Sequence, residues 1–271
     1  MPKKVYDHHK KAGNQGDVVK HIALIAALDK VLHNHRGPVF RYADTFAGYA
    51  HNPLIRGYEW KQGIGKLFRE QGLDKNEHTA LYERWYLTRP QLLGGMYPSS
   101  SLIAADMAAW KKKKIKLCLW DTSEFVIADL NKVFFGQGQS IFDKPASPNQ
   151  KEVRSADFLL IDPPDGTKQT WGLICQFLAN RNRAVLIWLP VNANTRKKPP
   201  DEHKQSESSR NSARGLDCHV TKVRWRLGGR MIGCQSIYRL PAEAKIALRR
   251  AVEHVASILG WECNHYDQLG R

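Results

Sequence analysis

The chain has 271 residues, with 42 Lys and Arg against 26 Asp and Glu, a net charge of +16. That length suits one large α/β domain, or one domain with a small insertion, and the charge suits a polyanionic partner such as RNA or DNA. No run of about 18 apolar residues occurs, so a membrane-spanning helix is not expected. The basic N-terminus has no apolar core behind it and does not read as a signal peptide. The five cysteines (118, 175, 218, 234 and 263) form no CxxC pair, so neither a zinc site nor a disulfide framework is expected, and a reducing cytoplasm fits.

Residues 17–33, "DVVKHIALIAALDKVLH", read as a helix, with Asp17 as N-cap and Val18, Ile22, Ile25 and Ala26 as an apolar stripe. Gly37-Pro38 breaks the chain. "VFRYADTFAGYA" (39–50) reads as a strand running into a turn of small residues, and 53–93 as a mostly helical segment. "PSSSLIAADMAAW" (98–110) is a helix with serines at its start. "KIKLCLWDTSE" is a strand ending at Asp121, followed by a helix with Ser123 as a possible cap. "DFLLIDPP" and "RAVLIWLP" are short apolar strands closed by proline. Residues 192–214 are polar and proline-bearing and read as a mobile loop. "CHVTKVRWRL" and "CQSIYRLP" read as a closing antiparallel pair, with the helix "PAEAKIALRRAVEHVASIL" after them. Basic clusters recur along the chain: "KKAGNQGDVVKH", "WKKKKIK", "NANTRKK" and "RWRLGGR".

Strands alternating with helices predict a doubly wound parallel sheet, whose ligands sit beyond the carboxyl ends of the strands. Three acids fall at predicted strand ends: Asp44, Asp121 and Asp162. The turn after Asp44 contains Gly48, which lets a ligand approach the backbone, although an ordinary strand-to-loop turn would read the same way. Asp121 stands where a carboxylate commonly grips a ribose diol, or is a turn acid beside Ser123. Asp162-Pro163-Pro164 is the strongest motif. Proline has no N–H to donate, so the turn leaves carbonyls to accept beside the carboxylate. Two such acceptors can take both hydrogens of an exocyclic amine, which suits chemistry at the N6 of adenine.

Asp-Pro-Pro after an apolar strand resembles the (D/N)PP(Y/F) motif of amino-methyltransferases that use S-adenosylmethionine. "YDHHKKAGNQGDVVKH", "YADTFAG", "MYPSSSLIAADM", "FLLIDPPDG", "AVLIWLPV" and "GGRMIGCQSIYRLP" occur in the order seen in the RlmJ family of 23S rRNA adenine N6-methyltransferases, and the resemblance covers nearly the whole chain. It implies a class I methyltransferase fold, Rossmann-like and doubly wound, with a small helical insertion. The domain would be formed by 1–52 and 94–271, and the insertion by 53–93. It implies that Lys20, His21 and Ser100 line the S-adenosylmethionine pocket together with Asp44, Phe46, Gly48, Asp121, Asp143 and Asp162. Asp162 would be the catalytic acceptor of the adenine amine, and Tyr6, Pro163 and Pro164 would face the RNA.

The chain departs from the family at several of these positions. Phe46 replaces a histidine, and Gly48-Tyr49-Ala50 replaces part of a glycine turn. Leu119 stands where the ribose-binding Glu belongs, which would leave that task to Asp121. Asp165 stands where an aromatic ring would stack on the target base, a contact worth about 1–3 kcal/mol. The expected activity is N6-methylation of an adenine in 23S rRNA by a cytoplasmic, metal-free monomer. The alternatives are a diverged member that binds RNA or cofactor without turnover and, less favoured, a DNA adenine methyltransferase.

Overall fold

The computed structural model describes residues 11–54, 59–87, 95–136, 138–164, 168–179, 183–191, 218–227 and 230–267. Helix α1 is Gln15–Asn34. Strand β1 (Phe40–Asp44) follows, then a two-stranded antiparallel ribbon of β2 (His51–Pro53) and β3 (Met96–Pro98), which brackets short helical pieces. After the ribbon come α4 (Ser100–Trp110), β4 (Ile115–Trp120), α5 (Glu124–Val133), β5 (Ser140–Phe142), α6 (Lys151–Arg154), β6 (Phe158–Ile161), α7 (Lys168–Ala179) and β7 (Ala184–Val191). The chain closes with β8 (His219–Leu227), β9 (Arg230–Arg239), α8 (Ala242–Leu259) and β10 (Glu262–Tyr266).

The main sheet has eight strands in the order β10-β8-β9-β7-β6-β1-β4-β5. The pairs β5/β4, β4/β1, β1/β6 and β6/β7 are parallel, and β9 is antiparallel to both β7 and β8. Leaving aside β10 at the edge, this is the strand order of the class I methyltransferase sheet, as expected. The order reverses at β1, so the crevice of such a sheet lies beyond Asp44. The parallel strands read as unbroken apolar runs because both faces are covered. Helices α1, α4, α5 and α8 share a core with one face, including Leu117, Leu119, Phe158 and Leu186. The other face packs Ala43, Cys118, Leu159 and Ile161 against Ile174, Phe177 and Leu178 of α7 and Val153 of α6.

Helix α1 differs from the expected one-striped helix. It is buried nearly all round, from Gln15 to Leu32, because it runs between the sheet core and the helical segment of 59–87. Asn14, not Asp17, caps it: the Asn14 side chain accepts the Asp17 N–H at 3.0 Å. The Asp17 carboxylate is held inside the first turn, accepting the Gly13 N–H at 2.9 Å and pairing with Lys20 at 3.0 Å. Between β2 and β3 the chain is less regular than predicted. It forms 3₁₀ turns at Glu59–Gln62 and Leu73–Lys75, short helices α2 (Ile64–Leu67) and α3 (Glu77–Tyr82), and a π turn at Glu83–Leu87. Glycines punctuate it. Gly72 has φ +91°, and a Cβ on Gly63 would lie 2.2 Å from the Asn14 carbonyl carbon. Strand β1 ends at Asp44, the strand-end acid expected from the sequence, and the chain then enters the turn of small residues.

Candidate active site

The ends of β1, β4, β5 and β6 bring Asp44, Asp121, Asp143 and Asp162 to one edge of the sheet. Asp44 is 1% exposed. Its carboxylate accepts the Phe46 N–H at 3.2 Å and the Tyr42 hydroxyl at 3.3 Å. Burial, then the neighbouring charge of Asp162, pushes its pKa up to about 7. Asp162 is less enclosed, with its side chain 16% exposed, and Pro163 behind it is buried while Pro164 is exposed.

Lys20 reaches across from α1. Its Nζ donates to Asp162 Oδ2 at 2.8 Å, sits 3.0 Å from Asp17 Oδ1, and lies 5.6 Å from the centre of the Trp188 ring on β7. Burial alone would lower the Lys20 pKa. The two carboxylates outweigh it and hold the amine firmly protonated. Trp188 packs so closely on the start of α1 that a Cβ on Gly16 would lie 2.6 Å from its ring. The block Gly13-Asn14-Gln15-Gly16-Asp17 is therefore a structural latch: it caps α1, receives the indole, and delivers Lys20 to the end of β6. His21, on the next position, stacks on Tyr97 with centroids 4.9 Å apart.

The turn after β1 is pinned at almost every amide. Thr45 N–H donates to the Leu160 carbonyl, Ala47 N–H to the Trp120 carbonyl, Gly48 N–H to Asp121 Oδ2 at 3.2 Å, and Ala50 N–H to Asp129 Oδ2 at 2.8 Å. The other Asp121 oxygen accepts the Ser123 N–H at 2.8 Å. Asp129, on α5, had no sequence signal as a site residue. Its contact depends on a helix 79 residues downstream of the turn. Gly48 has φ +63° with nothing within 4 Å of where a Cβ would stand, so the crevice is open beside it. Phe46 packs against the second core, at the crevice. Asp143 is exposed, immediately after β5, whose Phe142 carbonyl accepts the Asp121 N–H. Ser100 is buried in the first turn of α4, next to its cap Ser99. Tyr6 and Asp165 lie outside the described residues, as does the predicted loop of 192–214.

No family model matches the chain. It is 28% identical over 208 residues to the ribosomal RNA large subunit methyltransferase J of Haemophilus influenzae, covering 69% of this chain and 70% of that protein. The chain is a diverged relative of methyltransferase J. The crystal structure of LPL1258 from Legionella pneumophila, a protein assigned to DUF519, superposes with a TM-score of 0.69 at 16% identity, covering 95% of this chain and 98% of that one, so the fold is shared over almost its whole length. The strand order is that of class I methyltransferases, and S-adenosylmethionine is the cofactor of this fold. The crevice suits that group. Gly48 leaves open space beside the turn, and Asp44, Asp121 and Asp162 stand along the same edge.

Proposed function

We propose that this chain transfers a methyl group from S-adenosylmethionine to the N6 of an adenine in 23S rRNA. The observation that carries the reading is Asp162 at the end of β6. Lys20 holds one of its carboxylate oxygens, while Oδ1 has no hydrogen-bond partner among the described residues and the Pro163-Pro164 turn follows at once. Of the residues at hand, Asp121, Gly48 and Asp44 would hold the cofactor, with Asp143 beyond Asp121 and with Phe46, His21 and Ser100 as further pocket residues. When bound, S-adenosylmethionine supplies an electrophilic methyl group on a positively charged sulfur.

This chain's own residues would then position the amine. Asp162 Oδ1 accepts one N6 hydrogen, and a carbonyl of the proline turn accepts the other. These bonds orient the nitrogen lone pair out of conjugation with the ring. Lys20 holds Asp162 in place through Oδ2, and after transfer the Asp162 carboxylate takes the proton N6 must lose. The adenine has to leave its stack to reach Asp162. With Asp165 in place of an aromatic residue, Tyr6, Trp171 or Trp188 would do the stacking.

A second reading has a specific observation behind it. The turn amides at Gly48 and Ala50 are already engaged by Asp121 and Asp129, and Phe46 stands in place of a histidine. On that reading the chain binds RNA or cofactor without turnover. Calorimetric titration with S-adenosylmethionine tests the proposal. Saturable binding is expected, and none up to millimolar cofactor would overturn it.

A further inference from the structure

At the catalytic edge Lys20 lies against Asp17 and Asp162. Another group of cations stands where the strands enter the sheet. Arg41 on β1 and Lys116 on β4 are direct neighbours in the parallel register. The Lys114 carbonyl accepts the Phe40 N–H at 2.8 Å, which sets the Lys112–Lys114 run beside the start of β1. Arg41, Lys112 and Lys114 are exposed. Lys111 is not part of this surface, because it is paired with the buried Asp29.

Next to this row lies a recess of about 520 Å³ lined by His35, Asp157, Arg183 and Arg239 among others. The one acid there is largely engaged: Asp157 accepts the Arg41 N–H at 2.7 Å and lies 3.4 Å from His35. Arg183 is 7% exposed and donates to the carbonyls of Val153 and Phe177, and no carboxylate among the described residues pairs with it. Burial and the charge of Arg239 push its pKa down to about 10. A buried guanidinium without a counter-charge is unfavourable, and an anion in the recess would offset that cost.

We propose that this entry edge is a second RNA-binding surface, which holds backbone phosphates of the substrate on the side of the sheet opposite the reacting base. Arg41, Lys112, Lys114 and Lys116 form its row of cations, and the recess beside Arg183 and Arg239 seats a phosphate. The inference rests on RNA being the substrate. A polyanionic strand matches a row of like charges in which Arg41, Lys112 and Lys114 are exposed, and a backbone long enough to reach both edges would place affinity at one and chemistry at the other.

The test is binding of labelled, protein-free 23S rRNA across a salt series. It compares wild type with the triple variant Arg41→Gln, Lys114→Gln, Lys116→Gln, and with a control triple variant Lys61→Gln, Arg69→Gln, Lys75→Gln, which removes the same charge from exposed positions on the 59–75 segment. The entry-edge variant is expected to bind about tenfold more weakly and to lose about 2 from the log–log salt slope, at about 0.7 per phosphate contact. The control is expected to stay close to wild type. Equal affinities and slopes for the two triple variants, with wild type binding, would overturn this inference alone. A wild type that binds no RNA would overturn it together with the RNA substrate itself.

Discussion

Lys20 Nζ and Asp162 Oδ2 are 2.8 Å apart across 142 residues of sequence. The pair joins the second turn of α1 to the end of β6 and makes Lys20 a positioning group for the candidate catalytic carboxylate. Replacing Lys20 with Met would remove the cation that lies against both Asp17 and Asp162. Removing one partner of a buried pair costs about 3–5 kcal/mol, and a fall in unfolding free energy of that order is expected, with loss of methyl transfer. Lys20→Arg should recover part of the stability. Unchanged stability in Lys20→Met would show that the pair does not hold the site.

Asp44 makes stability depend on pH. Its folded pKa is raised to about 7, above the ordinary carboxyl value of about 3.9 in the unfolded chain. Between those values the folded state holds a proton that the unfolded state has released. The contribution of Asp44 is therefore fully present below about pH 4 and is lost as pH rises through about 7. Asp44→Asn should flatten the fall of stability with pH over that window, read from urea midpoints at several pH values. An identical pH profile would contradict the assignment.

Gly16 is where the Trp188 indole enters against α1. Gly16→Ala should cost about 1–3 kcal/mol by overpacking and should change the tryptophan emission. A stable variant with unaltered emission would show that the latch tolerates a side chain.

Asp129 fixes the turn after β1 through the Ala50 N–H, and Ala50 is fully buried. Asp129→Ala would leave that donor unsatisfied, at about 1–3 kcal/mol. S-adenosylmethionine binding should weaken about tenfold by calorimetry, because the turn that shapes the crevice loosens. Unchanged affinity would separate the turn from the cofactor.

The parts legible in the sequence were those where one residue type has one physical outcome. Apolar runs ending in an acid located the ends of β1, β4 and β6, and so brought Asp44, Asp121 and Asp162 together. Strand β5, "SIF", is three half-buried residues, and β10, "ECNHY", is polar and lies at the sheet edge, so neither carries a strand pattern of its own. The α1 cap was misread because Asn14 and Asp17 are both good caps and only the position of Lys20, one turn on, removes Asp17 from that role. The turn clasp by Asp129 and the buried charge of Arg183 depend on contacts between distant segments. The Lys111–Lys114 run read as one basic cluster, yet Asp29 takes Lys111 and the His35 carbonyl takes Lys113.

The central claim is that Asp162 accepts the amine that becomes methylated. It is tested most directly by transfer of a labelled methyl group to deproteinised 23S rRNA, with N6-methyladenosine identified by mass spectrometry, for wild type, Asp162→Ala and Asp165→Tyr, each first shown to bind cofactor. The account predicts transfer by wild type, none by Asp162→Ala, and tighter substrate binding or faster turnover when Asp165→Tyr restores the ring. Wild-type transfer by Asp162→Ala would contradict the mechanism, and no transfer by either wild type or Asp165→Tyr would contradict the catalytic function itself.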